Sequence, residues 1–454
     1  MPFANPEPLR RELALALPGR PFTLRFWDGS ELASTTPGGP VFTVRSPAAV
    51  AHLLRAPGQL GLGRAYAAGE LEADDLDKVI GLLDTFDAPA IDTTTRLRLT
   101  LAAARACGVM KPPPIPASEL RPRGRRHSRE RDARAVRHHY DVSNEFFALF
   151  LDESMTYSCA LFSRTLDSLE GSWGTHPREE PGAEPPRMTL EQAQAAKREL
   201  ICRKLALREG ERVLDVGCGW GSFVIHAAAN HGVRAVGITL SPAQAELART
   251  RVKEAGLEDR VEIHVADYRD LGAAETGRHS PSAEAGRRSP TAGIPDSASI
   301  PGAAGEGYDA IASIGMVEHV GANQIDLYAR QLAGLLGPGG RLLNHGIARL
   351  RHGEAEAGPF SERYVFPDAA PLHVSRVALA LERAGIEPLH VEGLRGDYAE
   401  TLSHWIERLE ANRPEAERLA GAERVRVWRL YLRAARNGFR TGFTSIFQIL
   451  GRRP

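Results

Sequence analysis

The segment VLDVGCGWG sets Gly217, Gly219 and Gly221 directly after an apolar run and directly before a helical one. Glycines at that junction permit a tight turn and let backbone N–H groups approach a ligand closely. The following helix N-terminus adds partial positive charge. The spacing is not G-x-G-x-x-G, and the next strand, RAVGITL, ends without the acidic residue that a nicotinamide ribose needs. Asp215, just before the glycines, offers a carboxylate to an ammonium group or to the loop itself. A zwitterionic amino-acid ligand needs such a group more than a pyrophosphate does. Val213, Leu214, Asp215, Val216, Gly217, Cys218, Gly219, Trp220 and Gly221 therefore read as a cradle for the methyl donor S-adenosylmethionine. Asp267 and Tyr268 follow a later strand, RVEIHVADY. Ligands of doubly wound sheets lie at the carboxyl ends of strands. Asp267 can accept from an adenine amino group and Tyr268 can stack on the ring; the alternative for Asp267 is a helix N-cap.

The elements around these residues alternate. ERVLDVGCGW, RAVGITL, RVEIHVADY, YDAIASIG and GGRLLNHGI read as strands; FVIHAAANH and SPAQAELARTRVKEAG read as helices, the second with Ser241 as N-cap and Pro242 at its first position. This rhythm predicts an α/β fold: a doubly wound, mostly parallel Rossmann-like sheet with helices on both faces. Residues 351–454 read as mostly helical, a C-terminal cover for the sheet and a lining for a substrate cavity.

The stretch before it reads as a separate small α+β domain, residues 1–115. FTLRFWDGSEL and VFTVRSP alternate as strands, and AAVAHLLRA, AYAAGELEADDLDKVIGLLDTF and RLRLTLAAARACGVM carry helical spacing. Residues 116–137 form a linker that starts proline-rich and turns basic, with eight arginines between Arg121 and Arg137. It reads either as a solvated connector or as contact with an anionic surface. The catalytic domain then spans 138–454. Two Pro/Gly/Ser-rich insertions interrupt it, and the second, 272–307, lacks the apolar content to pack and is expected to be disordered.

Lys plus Arg and Asp plus Glu both number 57, so no charge bias points to nucleic acid. No apolar run reaches the length of a membrane span. Glu7, Glu12 and nearby prolines argue against a signal peptide, and a cytoplasmic location is expected. Cys107, Cys159, Cys202 and Cys218 show no metal-type pairing, so no metal is expected and reduced thiols are the default.

HYDVSNEFFALFLDESMTYSCALF, the glycine loop, ITLSPAQ, DYRDL, IASIGMVEHVG, NHGIA and YVFP together resemble the cyclopropane-fatty-acyl-phospholipid synthases and the related mycolic acid cyclopropane synthases. The resemblance spans roughly 138–454, and the N-terminal domain looks like the extra lipid-interacting domain of the phospholipid-acting members. It implies an S-adenosylmethionine-dependent methyltransferase fold and activity. An acyl-chain double bond would take the donor's methyl group, and the resulting carbocation would lose a proton to a bound bicarbonate, closing a cyclopropane ring. By position, the bicarbonate cradle would be Cys159, Glu318, His345, Ile347 and Tyr398. The donor contacts would be Tyr157, Ser158, Val213–Gly221, Thr239, Leu240, Ser241, Gln244, Asp267 and Tyr268. The resemblance further implies membrane phospholipids with unsaturated chains as partners, peripheral contact with the inner face of the membrane, and an open oligomeric state that includes a homodimer. Relatives that methylate the same alkene without ring closure share most of these motifs. Family members often carry a cysteine in the C-terminal helix where this chain has Ala435, which argues against a covalent cysteine mechanism.

Overall fold

A computed structural model describes residues 4–108, 112–121, 124–140, 142–163, 188–271, 307–351 and 358–454. The expected disordered insertion at 272–307 lies outside the described residues except for Gly307, as does the whole of the earlier Pro-rich insertion. The chain forms two compact units. One comprises 1–122, 356–367 and 406–437; the other comprises 123–355, 368–405 and 438–454. The first unit thus draws on two stretches that lie inside the span expected for the catalytic domain.

The first unit holds a four-stranded sheet of β1 (Thr23–Arg25), β2 (Glu31–Leu32), β3 (Val41–Val44) and β4 (Leu71–Ala73), in the order β2-β1-β3-β4. β1 and β3 run parallel; the outer pairs are antiparallel. Leu9, Phe26, Leu32, Val44, Val50, Ala65 and Ala103 form its core. The run AYAAGELEADDL, expected to be helical, is not continuous. The helix stops at Ala67, Gly69 turns the chain at φ 76°, β4 follows, and a new helix starts at Leu76, capped by Asp75, which accepts from Asp77 N and Lys78 N at 3.0 Å. A helix periodicity can continue across such a break because the apolar positions on either side share a phase. Residues 112–121 are fastened within this unit: Glu119 takes a bidentate, buried ion pair from Arg64 at 2.7 Å.

The second unit carries seven strands: β5 (Arg212–Val216), β6 (Arg234–Thr239), β7 (Val261–Val265), β8 (Tyr308–Ile314), β9 (Leu336–Ala348), β10 (Glu387–Gly393) and β11 (Ser445–Arg452). Their order is β10-β11-β9-β8-β5-β6-β7. The pairs from β7 through β9 are parallel, while β11 pairs antiparallel with both β9 and β10. The mostly parallel α/β sheet expected from the sequence is therefore present. Its central strands are apolar on both faces because helices cover both: Leu214, Val216 and Ile311 face one core, Val213, Ala310 and Ala312 the other. The C-terminal region is not only helical, however. β10 and β11 come from it and complete the sheet. In SIFQILGR the β-branched and aromatic residues mark a strand, but the helical spacing upstream masks it.

The basic run is also more structured than a linker. A helix covers Arg129–Tyr140. Arg126 and Arg131 both reach Asp368, at 3.2 and 2.5 Å, and Arg129 reaches Asp270 at 2.5 Å. Among the described residues, Arg126, Arg129 and Arg131 thus face carboxylates of their own unit.

Candidate active site

β5 delivers the chain to the glycine turn, and the helix Ser222–His231 leaves it. Gly217, Gly219 and Gly221 all have positive φ, at 88°, 55° and 82°. Gly217 also has no room for a side chain, since a Cβ there would lie 2.7 Å from Met316 Cγ. The turn is pinned to β6 by Gly217 N and Cys218 N, which donate to Ile238 O at 3.0 and 2.9 Å. Opposite it stands the segment Met155–Ser158, held by Gln194 Nε2, which donates to Ser158 O at 2.8 Å.

A cavity opens between these segments. Its wall includes Tyr157, Ser158, Asp215, Gly217, Cys218, Gly219 and Trp220, together with Thr239, Leu240 and Gln244 from the end of β6 and the helix after it. Ser241 does not line the wall. It caps the helix Pro242–Glu254, as its sequence position predicts, accepting from Gln244 N at 3.3 Å. Val213, Leu214 and Val216 point into the sheet's cores. Asp267 and Tyr268 are also absent from the wall. Asp267 caps a short 3-10 turn, accepting from Arg269 N at 3.0 Å, and its carboxylate is gripped by the Arg269 guanidinium at 2.5 Å. Tyr268 is buried edge-to-face against Tyr328. The N-cap alternative is the one realised at Asp267.

Asp215 is buried, and its Oδ1 has no hydrogen-bond partner among the described residues. Burial pushes its carboxyl up to about 7, with Lys197 pulling the other way. Lys197, Met155, Thr156, Met316 and His319 also line the cavity, and sequence reasoning did not find them. A signal for Lys197 exists: it falls on the buried stripe Leu190, Gln194, Lys197, Ile201 of a helix, where a lysine is out of place unless it has work to do.

Three of the residues assigned to an anion cradle, Glu318, His345 and Ile347, sit at the β8–β9 end. Glu318 lies on a 3-10 turn, Val317–His319, just past β8. Its Oε1 accepts from Ile347 N at 2.7 Å, while its Oε2 is buried without a partner. Burial raises its carboxyl to about 7. Gly346 makes this approach possible, since a Cβ there would meet Val317 Cγ1 at 2.2 Å and Glu318 Oε2 at 3.5 Å. His345, on β9, is fully buried, and neither ring nitrogen has a partner among the described residues. Burial, helped by the charges of Lys197 and Lys204, holds it neutral.

Cys159 is buried with its Sγ donating to Ala160 O at 3.1 Å. Burial drives its thiol well above the usual range, so it is not a nucleophile at rest. The Cys159 segment is fastened to the helix that bears Tyr398. Ala160 N donates to Thr401 Oγ1 at 3.0 Å, and Phe162 N and Ser163 N donate to Asp397 Oδ1 at 2.7 and 2.8 Å. Aromatic contacts join the two groups: Tyr157 stacks on Trp405 at 5.2 Å, and Trp405 meets Tyr398 edge-on at 6.0 Å.

Away from the cavity, Cys202, His226 and His231 offer ligand atoms within 4.8 Å of one another. No metal is expected from the spacing of the cysteines, and this cluster is not legible in it. Glu199 already accepts from both imidazoles, at 3.2 and 3.0 Å. No described helix is long and apolar enough to cross a membrane.

The chain matches the mycolic acid cyclopropane synthetase family over residues 127–278 and 302–449. It is 36% identical over 418 residues to a probable fatty acid methyltransferase of Mycobacterium tuberculosis, covering 90% of this chain and 85% of that one. It is 30% identical over 400 residues to the cyclopropane-fatty-acyl-phospholipid synthase of Escherichia coli, covering 87% and 83%. Among solved structures, the mycolic acid cyclopropane synthase CmaA1 complexed with SAH and CTAB aligns with a TM-score of 0.55 at 28% identity, covering 70% of this chain and 98% of that one. The motifs, the sheet and these likenesses agree: the chain belongs to the cyclopropane synthase family of S-adenosylmethionine-dependent methyltransferases.

Proposed function

We propose that the protein adds a one-carbon unit from S-adenosylmethionine to the double bond of unsaturated acyl chains in membrane phospholipids and closes a cyclopropane ring. One observation carries this reading: Glu318 Oε2 and both nitrogens of His345 are buried polar atoms without partners among the described residues. A native fold leaves such atoms unpaired at a cost of about 1–3 kcal/mol each, so a small polar guest is the economical explanation. Bicarbonate fits the donor set. Neutral His345 offers one donor and one acceptor, Glu318 offers an acceptor, and Ile347, Cys159 and Tyr398 complete the group proposed from the family pattern.

Bound S-adenosylmethionine supplies an electrophilic methyl group and bound bicarbonate a base. The chain's own residues do the rest. Asp215 holds the donor's ammonium. The glycine turn gives close backbone approach, and Tyr157 with Trp405 walls off water. Glu318, with its carboxyl at about 7, can hold a proton at its free oxygen. An alkene needs no base to attack, so the site's task is to stabilise a cation and take one proton, a task for fixed dipoles and a poised carboxyl.

The second reading, methyl transfer without ring closure, has its own support in the likeness to a fatty acid methyltransferase. Lipid analysis of a host expressing the protein separates them. A ring and a methylene branch each add one CH2 to the acyl chain, so hydrogenation or NMR must follow mass spectrometry. Ring protons confirm the first reading; branched or methylene chains alone overturn it. A peripheral membrane role for the first unit and for the basic run 121–137 completes the proposal, and liposome sedimentation that ignores salt would count against the basic run.

A further inference from the structure

Lys197 is 1% exposed and lines the donor cavity beside Asp215. Among the described residues its ammonium makes a single hydrogen bond, to Ser158 Oγ at 2.7 Å. Two of its three donors therefore have no acceptor among the described residues, and a buried charge left in that state is costly. Asp215 has a free, buried oxygen on the same wall, yet the two are not hydrogen-bonded to each other. A buried lysine and a buried carboxylate that face one cavity without closing on each other are arranged for a ligand that carries both signs.

We propose that Lys197 anchors a carboxylate-type anion in this cavity, namely the aminoacyl carboxylate of S-adenosylmethionine, while Asp215 takes its ammonium. The pair would then read the zwitterionic end of the donor as the glycine turn admits its backbone. Lys197 also acts electrostatically on Cys159 and His345, so bicarbonate is the other source of the same chemistry. Burial and the neighbouring Arg198 pull the lysine down to about 7, and an anion arriving at its free donors would restore the charge. The inference rests on the donor site proposed above.

The test compares S-adenosylmethionine with decarboxylated S-adenosylmethionine by calorimetry, on the full chain and on Lys197→Met. The wild type should prefer the intact donor. In the variant, affinity for the intact donor should fall on the order of 10–100-fold, with the decarboxylated analogue unaffected. Turnover on dioleoylphosphatidylglycerol vesicles in CO2-depleted buffer, titrated with bicarbonate, is the second arm. A variant that keeps its donor preference but needs at least 10-fold more bicarbonate retains the anchor and moves its ligand to bicarbonate. Equal weakening of both donors, or no change in either arm, overturns the proposal. So does Ser158→Ala if it reproduces the Lys197→Met pattern, because the lysine would then act only through the serine. Lys197→Gln serves if the methionine variant does not fold. A wild type that binds neither donor sinks the donor site itself, and this inference with it.

Discussion

The two ends of the sheet's carboxyl edge hold their groups by different means. At the β5–β6 end, geometry comes from backbone: three glycines with positive φ, N–H groups tied to Ile238 O, and a serine-capped helix. Thr239, Gln244 and Ser158 there are hydrogen-bonded within the protein, while Asp215 Oδ1 and Gln194 Oε1 are buried without a partner among the described residues. At the β8–β9 end, Glu318 and His345 are buried with free polar atoms. The first end is built to receive the bulk of a ligand. The second keeps interaction strength in reserve for something small and polar. The contrast predicts that damage at the first end reads out in binding, and damage at the second in turnover.

Glu318→Gln should break the second end with the largest effect. Loss of one preorganised polar group at a developing charge costs about 100–1,000-fold in turnover, while donor affinity should hold. Stability should move the other way. The folded carboxyl titrates at about 7 against the ordinary 4.5. Between those values the native state binds more protons than the unfolded one, so stability falls as pH rises through that window, by about 3 kcal/mol in all. Glutamine abolishes the titration. Asp215, also raised to about 7 by burial, titrates in the same window in both proteins, so melts of the ligand-free proteins at pH 5 and pH 8 should show the variant losing less stability than the wild type, by about 3 kcal/mol. A variant as pH-sensitive as the wild type would mean that the carboxyl is not strained by burial.

Gly217→Ala is the counterpart at the first end. A Cβ forces both an unfavourable φ and a 2.7 Å contact with Met316 Cγ, together worth about 2–4 kcal/mol. Donor affinity should drop by at least 10-fold. Adding Met316→Ala removes the contact but not the φ, so only part of the loss should return; full recovery would assign the whole effect to packing. Gly346→Ala sharpens the contrast from the other side. Its Cβ would strike Val317 Cγ1 at 2.2 Å and displace the turn that carries Glu318. Turnover should fall, by about 1–3 kcal/mol of activation energy if the turn yields, with donor binding unchanged. A Gly346→Ala variant that loses donor binding first would erase the distinction between the two ends.

The same contrast governed what could be read from sequence. Backbone devices have a signature: G-x-G-x-G after an apolar run, Ser-Pro at a helix start. The turn and the Ser241 cap were legible for that reason. A lone Glu318 or His345 has none, and only the resemblance assigned them. Lys197 sits on an apolar helical stripe, and helical spacing marks the helix without marking which residue of the stripe faces a cavity. Asp267 was legible in both of its roles, and only Arg269, two residues on, decides which one the folded chain adopts. β11 and β10 were missed because pairing with β9 is a long-range fact; Ser445 meets Ala348 across the chain, and no local pattern records it. The break at Gly69 was lost for the opposite reason, since the local periodicity continued through it.

The smallest effect should come from Ser241→Ala. Ser241 Oγ accepts from Gln244 N at 3.3 Å, and Ser241 N donates to Thr239 Oγ1 at 3.2 Å, which in turn donates to Gln244 Oε1 at 2.8 Å. Alanine removes only the first of these. The helix should lose about 1 kcal/mol, the usual worth of a serine cap, read as a lower melting temperature. Thr239 and Gln244 line the cavity while Ser241 does not, and their mutual bond survives the change. Donor affinity should therefore shift by less than about threefold, under the 1 kcal/mol that the cap itself is worth. A loss as large as that of Gly217→Ala would show that the cap, and not the Thr239–Gln244 bond, sets the cavity's edge. The β5–β6 end would then depend on a single group, as the β8–β9 end does on Glu318.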